Sequence, residues 1–323
     1  MQPWRVRFVS IDRAELYIDG TRTLPNEDTT GCFVLSAMGM FLEALDLTAS
    51  QHGFCLNYQL ADDIHALARK MADPRSRGLT LFAFLELSSE PARPVLFSAS
   101  DLLARSTSRL SLKRKEVPED AIAKLSLLAS EWGHRYTHLT DPRLIEEALD
   151  HNITAVFHDM NHPPYHDEIA SWFRYSSRSA AAYRDGLDWR CMNLSRLEFW
   201  MSARLPQVLN LPPARAFFRR RYREQLGYVP AIGVLSGPFF KAEHTIASGR
   251  FLLRFWLEVT ALGLYFHPYG NLVTNDAAAK WATQRFGIEE SWLIFKIGYS
   301  EVPPRSLRRT VEQILLGENE VRS

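Results

Sequence analysis

Five consecutive residues combine two arginines with three hydroxyl side chains, Arg105-Ser106-Thr107-Ser108-Arg109. A guanidinium presents N–H donors in a planar fork that fits a phosphate group, and hydroxyls can complete its coordination. The segment follows a short helix-like run, 101–104, and precedes Val117-Pro118, the predicted entry to another helix. Such a cluster alone is more often a solvated helix end, so a phosphate site is predicted only if distant segments supply further groups.

A second set of candidate residues is a row of histidines, His158, His162 and His166, spaced as metal ligands on one helical face would be. Pro163-Pro164 lies between the second and the third histidine and would interrupt such a helix. A polar surface turn is therefore the preferred interpretation, and no metal site is predicted.

Charged residues on an arginine-rich helix and on two apolar helices could also take part in binding or catalysis. Five arginines in the segment 214–226 could contact an anionic partner or the phosphate of a pyridine nucleotide, although such a row is more often a solvated face. They are Arg215, Arg219, Arg220, Arg221 and Arg223. Glu43 and Glu258 lie on apolar helices and could be catalytic carboxylates. The preferred interpretation is a structural pair, such as Glu258 with Arg254 one turn away.

Several specific nucleotide-binding and catalytic motifs do not occur in the sequence: GxGxxG after a strand, a P-loop, HExxH and a GxSxG elbow. The segment 233–237, GVLSG, approximates the last with its serine one position late. The sequence therefore disfavours a Rossmann dehydrogenase, an NTPase and an α/β-hydrolase.

Composition narrows the class of protein further. A chain of 323 residues that is 46% hydrophobic can bury a large core, and a net charge of +1 gives no electrostatic reason to bind nucleic acid or membrane surfaces. The three cysteines lack CxxC or metal-type spacing, which fits reduced thiols in the cytoplasm. Residues 1–5 do not begin a signal peptide, and the apolar segment 251–266 carries Arg254 and Glu258. We expect a cytoplasmic protein without a nucleic-acid or membrane partner.

Hydrophobic periodicity predicts helices and strands in no regular βαβ alternation, which favours the α+β class. Strands are predicted within 4–19, 54–60, 79–87, 231–235 and 293–297, and helices over 33–51, 118–132, from 142, 168–175, 214–226 and 247–264. A surface linker is expected at 90–94, and the chain from 187 to about 213 is expected to be irregular. The two core helices share a short pattern, FLEA at 41–44 and WLEV at 256–259, which suggests a duplicated half-domain, with chance as the alternative.

Several segments, taken in order, resemble the FMN-dependent nitroreductase superfamily and its Acg-like branch. The chain opens with Gln2-Pro3-Trp4, similar to the end of the HNxQPW motif of that branch, and 105–109 is similar to its R-x-[ST]-x-R element. Further similar landmarks lie along the rest of the chain: Glu168, Trp172 and Arg174; Asp185-Gly186-Leu187; Gly263-Leu264; His267-Pro268; Ile297-Gly298-Tyr299; and Arg308-Arg309.

The resemblance implies a nitroreductase-like α+β fold built as two related half-domains, 1–97 and 98–323, forming a pseudo-dimer. It implies that FMN is the cofactor, with its phosphate, ribityl chain or ring edge contacted by Arg105, Thr107, Arg109 and Arg308, and Arg309 as a neighbour. The loop ending at His267 and Pro268 would lie against the isoalloxazine. Because the flavin carries the chemistry, no catalytic triad is expected.

The function implied is transfer of hydride from NADH or NADPH through FMN to a small organic acceptor, such as a nitroaromatic or quinone. Two alternatives stay open: a protein that sequesters flavin without turnover, and an accessory module with a degenerate flavin site that serves a partner enzyme. The Asn-containing segment that precedes QPW in the branch is expected to be missing. We expect a homodimer or a pseudo-dimeric monomer.

Overall fold

The computed structural model describes residues 1–89, 97–204, 211–317 and 320. The strands are β1 (Trp4–Phe8), β2 (Arg13–Asp19), β3 (Cys55–Leu60), β4 (Leu79–Ser88), β5 (Arg135–Leu139), β6 (Phe173–Arg174), β7 (Leu187–Asp188), β8 (Ala231–Ser236), β9 (Tyr265–Pro268) and β10 (Ser291–Gly298). The helices are α1 (Cys32–Gln51), α2 (Ile64–Ala72), α3 (Ala99–Ala104), α4 (Glu119–Glu131), α5 (Pro142–Asp159), α6 (Pro163–Ser171), α7 (Ser177–Tyr183), α8 (Arg196–Arg204), α9 (Pro212–Leu226), α10 (Ala242–Ala261), α11 (Asn271–Thr274), α12 (Asp276–Phe286) and α13 (Val311–Ile314). The predicted α+β class is confirmed. The predicted linker at 90–94 lies outside the described residues.

The chain divides into two compact units whose boundaries differ from the predicted halves. Unit 1 comprises residues 1–105, 239–257 and 308–323, and unit 2 comprises residues 106–238 and 258–307. The difference arises because two later segments return to the first unit. The proposed origin of the chain from two related half-domains stays a prediction.

Unit 1 is built on a four-stranded antiparallel sheet in the order β1-β2-β4-β3. Alternating residues of these strands, among them Leu16, Ile18 and Phe82, are buried against apolar residues of α1 such as Met38 and Leu42. Alternation with a period of two on strands and an apolar helix face are the patterns from which these elements were predicted.

Helices α1 and α10 approach each other closely at two glycines. A Cβ added at Gly39 would lie 2.3 Å from the carbonyl oxygen of Ile246, and one added at Gly249 would lie 2.0 Å from that of Ser36. Both distances are to backbone atoms, so any larger residue would force the helices apart.

Four charged side chains join the same two helices about one turn further along. Arg250 donates to Glu43 at 2.6 Å and to Asp46 at 2.7 Å, and Arg254 donates to the other oxygen of Glu43 at 2.5 Å. Glu43 is fully buried and Asp46 nearly so. The predicted pair of Arg254 with Glu258 is wrong: Arg254 has this partner on α1, and Glu258 pairs with Lys124.

Helix α1 is the one helix among the described residues that is long and apolar enough to cross a membrane, and half of that stretch is buried within the protein. It also carries the two buried carboxylates that arginines pair. We therefore interpret α1 as a core helix.

Unit 2 contains a second four-stranded antiparallel sheet, in the order β5-β8-β10-β9. Strand β8, one of the two inner strands, is buried along its whole length. Helices α5, α9, α11 and α12 contribute apolar side chains that pack with this sheet in one core, including Ile153, Leu226, Leu272 and Ala282.

Two local predictions in unit 2 need correction. The helix predicted over 168–175 ends at Ser171, and Phe173–Arg174 pairs with β7 instead. The stretch predicted as irregular up to about 213 contains α8, whose start is stabilised by reciprocal hydrogen bonds between Ser195 and Glu198. That reciprocal pair is a capping box, a signal that the sequence does contain.

Candidate functional site

The R-x-T-x-R element begins at the end of α3, a six-residue helix held by a capping box between Ser98 and Asp101. Arg105 is the last residue of unit 1 in this segment, and its guanidinium lies 4.2 Å from the centre of the Trp256 ring. A cation over an indole face is held by the ring quadrupole. Arg105 is therefore a positioned guanidinium.

Two of the three hydroxyl residues that follow, Thr107 and Ser108, contact the second sheet within unit 2. Thr107 forms a parallel bridge with Phe266, and the Ser108 amide donates to the Phe266 carbonyl at 3.4 Å. The Ser108 hydroxyl lies 2.7 Å from that of Ser300. The segment predicted as a loop against the isoalloxazine is in fact strand β9. It is adjacent to the element predicted for the phosphate, although about 160 residues separate them in the chain.

Arg109 is the last residue of the element, and the described residues contain no carboxylate that pairs with its positive charge. Its guanidinium donates to the Cys191 carbonyl at 3.2 Å, and no carboxylate in the described parts of the chain pairs with it. Burial lowers the pKa of this guanidinium from its ordinary value, yet an arginine stays charged at neutral pH. An anion would compensate this charge.

His267 and Pro268 lie on β9 and pair with β10, opposite Lys296 and Phe295. Burial lowers the pKa of His267 well below its ordinary value, and the charges of Arg109 and Lys296 lower it further. At neutral pH this imidazole is uncharged, with one nitrogen able to donate and the other able to accept. Its Nδ1 is buried and has no partner among the described residues.

Lys296 is a site residue that the sequence analysis missed. Its side chain is fully buried, and its ammonium donates to the carbonyls of Leu110 at 2.6 Å and Leu226 at 3.2 Å. Burial, with the charge of Arg109 adding to it, lowers the pKa of Lys296 to about 7. The available signal was one lysine inside the apolar strand 292–297.

Two tyrosines complete this cluster. Burial raises the pKa of Tyr269 well above its ordinary value, and its ring meets that of His267 edge-on at 5.5 Å between centres. Burial also raises the pKa of Tyr222, whose hydroxyl interacts with Asn152, while the positive charge of Arg109 opposes that rise. Both hydroxyls therefore remain protonated donors at neutral pH.

The predicted C-terminal arginines belong to unit 1. Arg308 is exposed in the coil before α13. Arg309 donates to the carbonyl of Gln2 at 3.2 Å and to that of Gln313, and its own amide donates to the Gln2 side chain at 3.0 Å. Two landmarks of the resemblance, QPW and the arginine pair, therefore meet within unit 1.

The histidine row and the arginine-rich helix were the other candidate sites that the sequence analysis considered. His158 lies on α5 and His166 on α6, with His162 between them as the residue that caps α6. No group of three potential metal ligands occurs among the described residues. In the arginine-rich helix α9, three arginines pair with carboxylates of Glu224, Glu198 and Glu146. That row is largely neutralised by the protein itself.

No protein-family model matches the chain, and no curated protein sequence is significantly similar to it. Among solved structures, the chain is similar to the FMN-dependent nitroreductase NfnB from Mycobacterium smegmatis in complex with NADPH (15% identity, 66% of this chain and 94% of the other, TM-score 0.41). It is also similar to a nitroreductase with bound FMN from Desulfitobacterium hafniense (12% identity, 69% and 100%, TM-score 0.42) and to a BluB-like flavoprotein from Clostridium difficile (13% identity, 67% and 95%, TM-score 0.40).

Proposed function

We propose that this protein binds FMN and passes hydride from NADH or NADPH through it to a small organic acceptor. The observation that carries the proposal is the bridge between Thr107 and Phe266. It makes the R-x-T-x-R element a neighbour of the segment ending at His267 and Pro268, and these are the two elements that the resemblance assigns to the phosphate and the isoalloxazine. FMN, when bound, supplies the hydride chemistry.

Each unit has an arginine whose surroundings suit an anionic cofactor. In unit 2, Arg109 lacks a carboxylate partner in the described parts of the chain. In unit 1, Arg105 is oriented by Trp256. Charge-assisted hydrogen bonds from arginine are the usual means of binding phosphate. In this proposal the residues of the chain bind and orient the flavin. The acceptor, a cytoplasmic location and a homodimeric or pseudo-dimeric state remain predictions.

The proposal is tested first by the visible absorbance of the purified protein, before and after incubation with FMN. We expect a flavin spectrum that survives gel filtration and bleaches when NADPH or NADH is mixed in anaerobically. A colourless protein that cannot be reconstituted would refute flavin binding. Bound flavin that neither nicotinamide reduces would instead favour the flavin-sequestering alternative.

A second experiment tests the predicted phosphate contacts of unit 1. Replacing Arg105 or Arg308 by alanine should weaken FMN binding by roughly 1.5–3 kcal/mol, the value of a charge-assisted hydrogen bond, which is roughly 10- to 150-fold in Kd. Quenching of FMN fluorescence measures the change. Arg285→Ala is the matched control, because that arginine is exposed and paired with Glu147. Equal affinity in all three variants would show that the contacts are wrongly assigned.

A further inference from the structure

The R-x-T-x-R element continues into an irregular stretch that borders the end of α9. The Leu112 amide donates to the carbonyl of Tyr228 at 3.0 Å, and the Tyr228 amide donates to the Ser111 hydroxyl at 2.9 Å. The Lys113 amide donates to the carbonyl of Tyr299, just after β10, at 2.8 Å. Because this stretch has no regular hydrogen-bond ladder, such contacts determine its course.

Lys296 connects the same stretch to the C-terminus of α9. Its ammonium donates to the carbonyl of Leu110 at 2.6 Å and to that of Leu226, the last residue of α9, at 3.2 Å. The last carbonyls of a helix have no intrahelical donor, and a cation is favourable there. Two carbonyls cannot bond each other, so the donor between them is what joins the two segments.

Asn193 makes the equivalent connection one residue earlier along both segments. Its side-chain amide donates to the carbonyl of Arg109 at 3.4 Å and to that of Gln225 at 3.1 Å. The backbone of Asn193 has a φ of 56°, a left-handed conformation that asparagine adopts more readily than most residues other than glycine. Two consecutive carbonyls after the element are thus joined to two consecutive carbonyls of α9 by two side-chain donors.

A lysine at position 296 is energetically costly for the fold. Its side chain is fully buried, and its partners across the sheet are Ile232 on β8 and the neutral His267 on β9. Burial, with the charge of Arg109 adding to it, therefore lowers the pKa of Lys296. Replacing a buried charge by a well-packed apolar residue is often neutral or stabilising, so stability alone does not account for this lysine.

We propose that Lys296 and Asn193 are positioning residues, which hold the R-x-T-x-R element against the end of α9 and thereby fix the backbone from which the Arg109 side chain extends. The guanidinium of Arg109 donates to the carbonyl of Cys191. The turn that contains Cys191 and Asn193 therefore holds both ends of this arginine. The inference rests on the proposed function, in which the element binds the cofactor, and it adds two residues that act on the element from within the protein.

The first experiment measures amide hydrogen exchange by mass spectrometry in the protein before flavin is added. Lys296→Met and Asn193→Gly should each speed exchange in 106–113 by about tenfold or more, because contacts that hold this backbone are lost. Exchange in β4 of unit 1 should stay unchanged. Glycine fits the left-handed backbone at position 193, so Asn193→Gly should fold even if Lys296→Met does not.

The matched control is Lys280→Met on α12 of the same unit, where the lysine is exposed. It should exchange in 106–113 as the unmodified protein does. Exchange in this segment that is unchanged in both Lys296→Met and Asn193→Gly would overturn the proposal.

The second experiment is a double-mutant cycle on FMN affinity, which asks whether Lys296 acts through Arg109. Lys296→Met should raise the Kd for FMN about tenfold on its own, but by no more than about twofold when Arg109→Ala is already present. Quenching of FMN fluorescence measures both changes. A lysine that is merely structural would lower the affinity equally in both backgrounds, and that result would refute the positioning role.

Failure of the two proposals can be distinguished. A protein that binds no FMN refutes the proposed function, whereas faster exchange of 106–113 in Lys296→Met and Asn193→Gly would still support the connection between the element and α9. If FMN binds to both variants as tightly as to the unmodified protein, the positioning role is refuted and the proposed function is not.

Discussion

Both units bury charged side chains, and they compensate them in opposite ways. In unit 1, the carboxylates of Glu43 and Asp46 receive hydrogen bonds from Arg250 and Arg254, so the cluster balances two negative and two positive charges. In unit 2, Arg109 and Lys296 face carbonyls, tyrosines and an imidazole. The carboxylates and guanidiniums of the first cluster balance one another, whereas the hydrogen bonds of Arg109 and Lys296 in the second go to backbone carbonyls and to no carboxylate among the described residues.

The largest expected effect on stability comes from disrupting the charged cluster of unit 1 around Glu43. Glu43→Gln would remove the buried carboxylate that Arg250 and Arg254 share, which should lower the free energy of unfolding by about 3–5 kcal/mol. Denaturant unfolding followed by circular dichroism measures this loss. Glu147→Gln, which removes the exposed partner of Arg285, should cost no more than about 1 kcal/mol. Equal losses in both variants would contradict a special role for the buried cluster.

An intermediate effect is expected on the pH dependence of the free energy of unfolding, through Lys296 of unit 2. Lys296 releases its proton at about pH 7 when folded but near its ordinary value of 10.5 when unfolded, because burial and Arg109 disfavour its charge. Between these values the unfolded chain binds more protons, so stability should rise with pH, by up to about 1.4 kcal/mol for each pH unit.

Comparing the protein with Lys296→Met isolates this contribution. Between pH 7.5 and 9.0, in buffer free of phosphate, the free energy of unfolding of the unmodified protein should gain up to about 2 kcal/mol relative to the variant. His267 lies across from Lys296 and is already neutral in this range, and Arg109 stays charged. Parallel pH profiles would mean that Lys296 remains protonated in the folded protein.

The smallest effect is expected where charges pair on the surface. Arg220 on α9 pairs with Glu224 one turn away, and both side chains are largely exposed. Arg220→Ala should change the free energy of unfolding by no more than about 0.5 kcal/mol, because solvent screens such pairs. Thermal unfolding at low and high salt checks this value. A loss as large as that of Glu43→Gln would remove the distinction between buried and exposed charges.

The sequence was sufficient to predict helices and strands that have a strong hydrophobic periodicity. It did not predict contacts between residues that are distant in the chain. Apolar patterns identified α1, α10, the strands of the first sheet, and β8 and β10 of the second sheet, because burial on one face follows from local spacing. The pair of Arg254 with Glu258 was inferred from an i, i+4 spacing, but Glu43 lies 211 residues away in sequence and bonds Arg254 instead. Local rules do not contain that information.

The candidate site shows the same limit. The two arginines of the R-x-T-x-R element could be selected by type and spacing, and the resemblance added His267. The sequence analysis did not select Lys296, because this lysine lies in a strand whose other residues are mostly apolar. Its position opposite His267 follows only from the pairing of β9 with β10. A charged residue inside an otherwise buried strand is the sequence signal that would have identified it.

The bridge between Thr107 and Phe266 has a consequence for how the protein behaves in solution. Strand β9 is at one end of its sheet, and its outer edge would otherwise offer unpaired amide and carbonyl groups to another chain. Thr107 and Ser108 cover that edge at Phe266. The segment proposed to recognise a cofactor therefore also protects against edge-to-edge aggregation, and variants that detach it should lose solubility whether or not flavin is present.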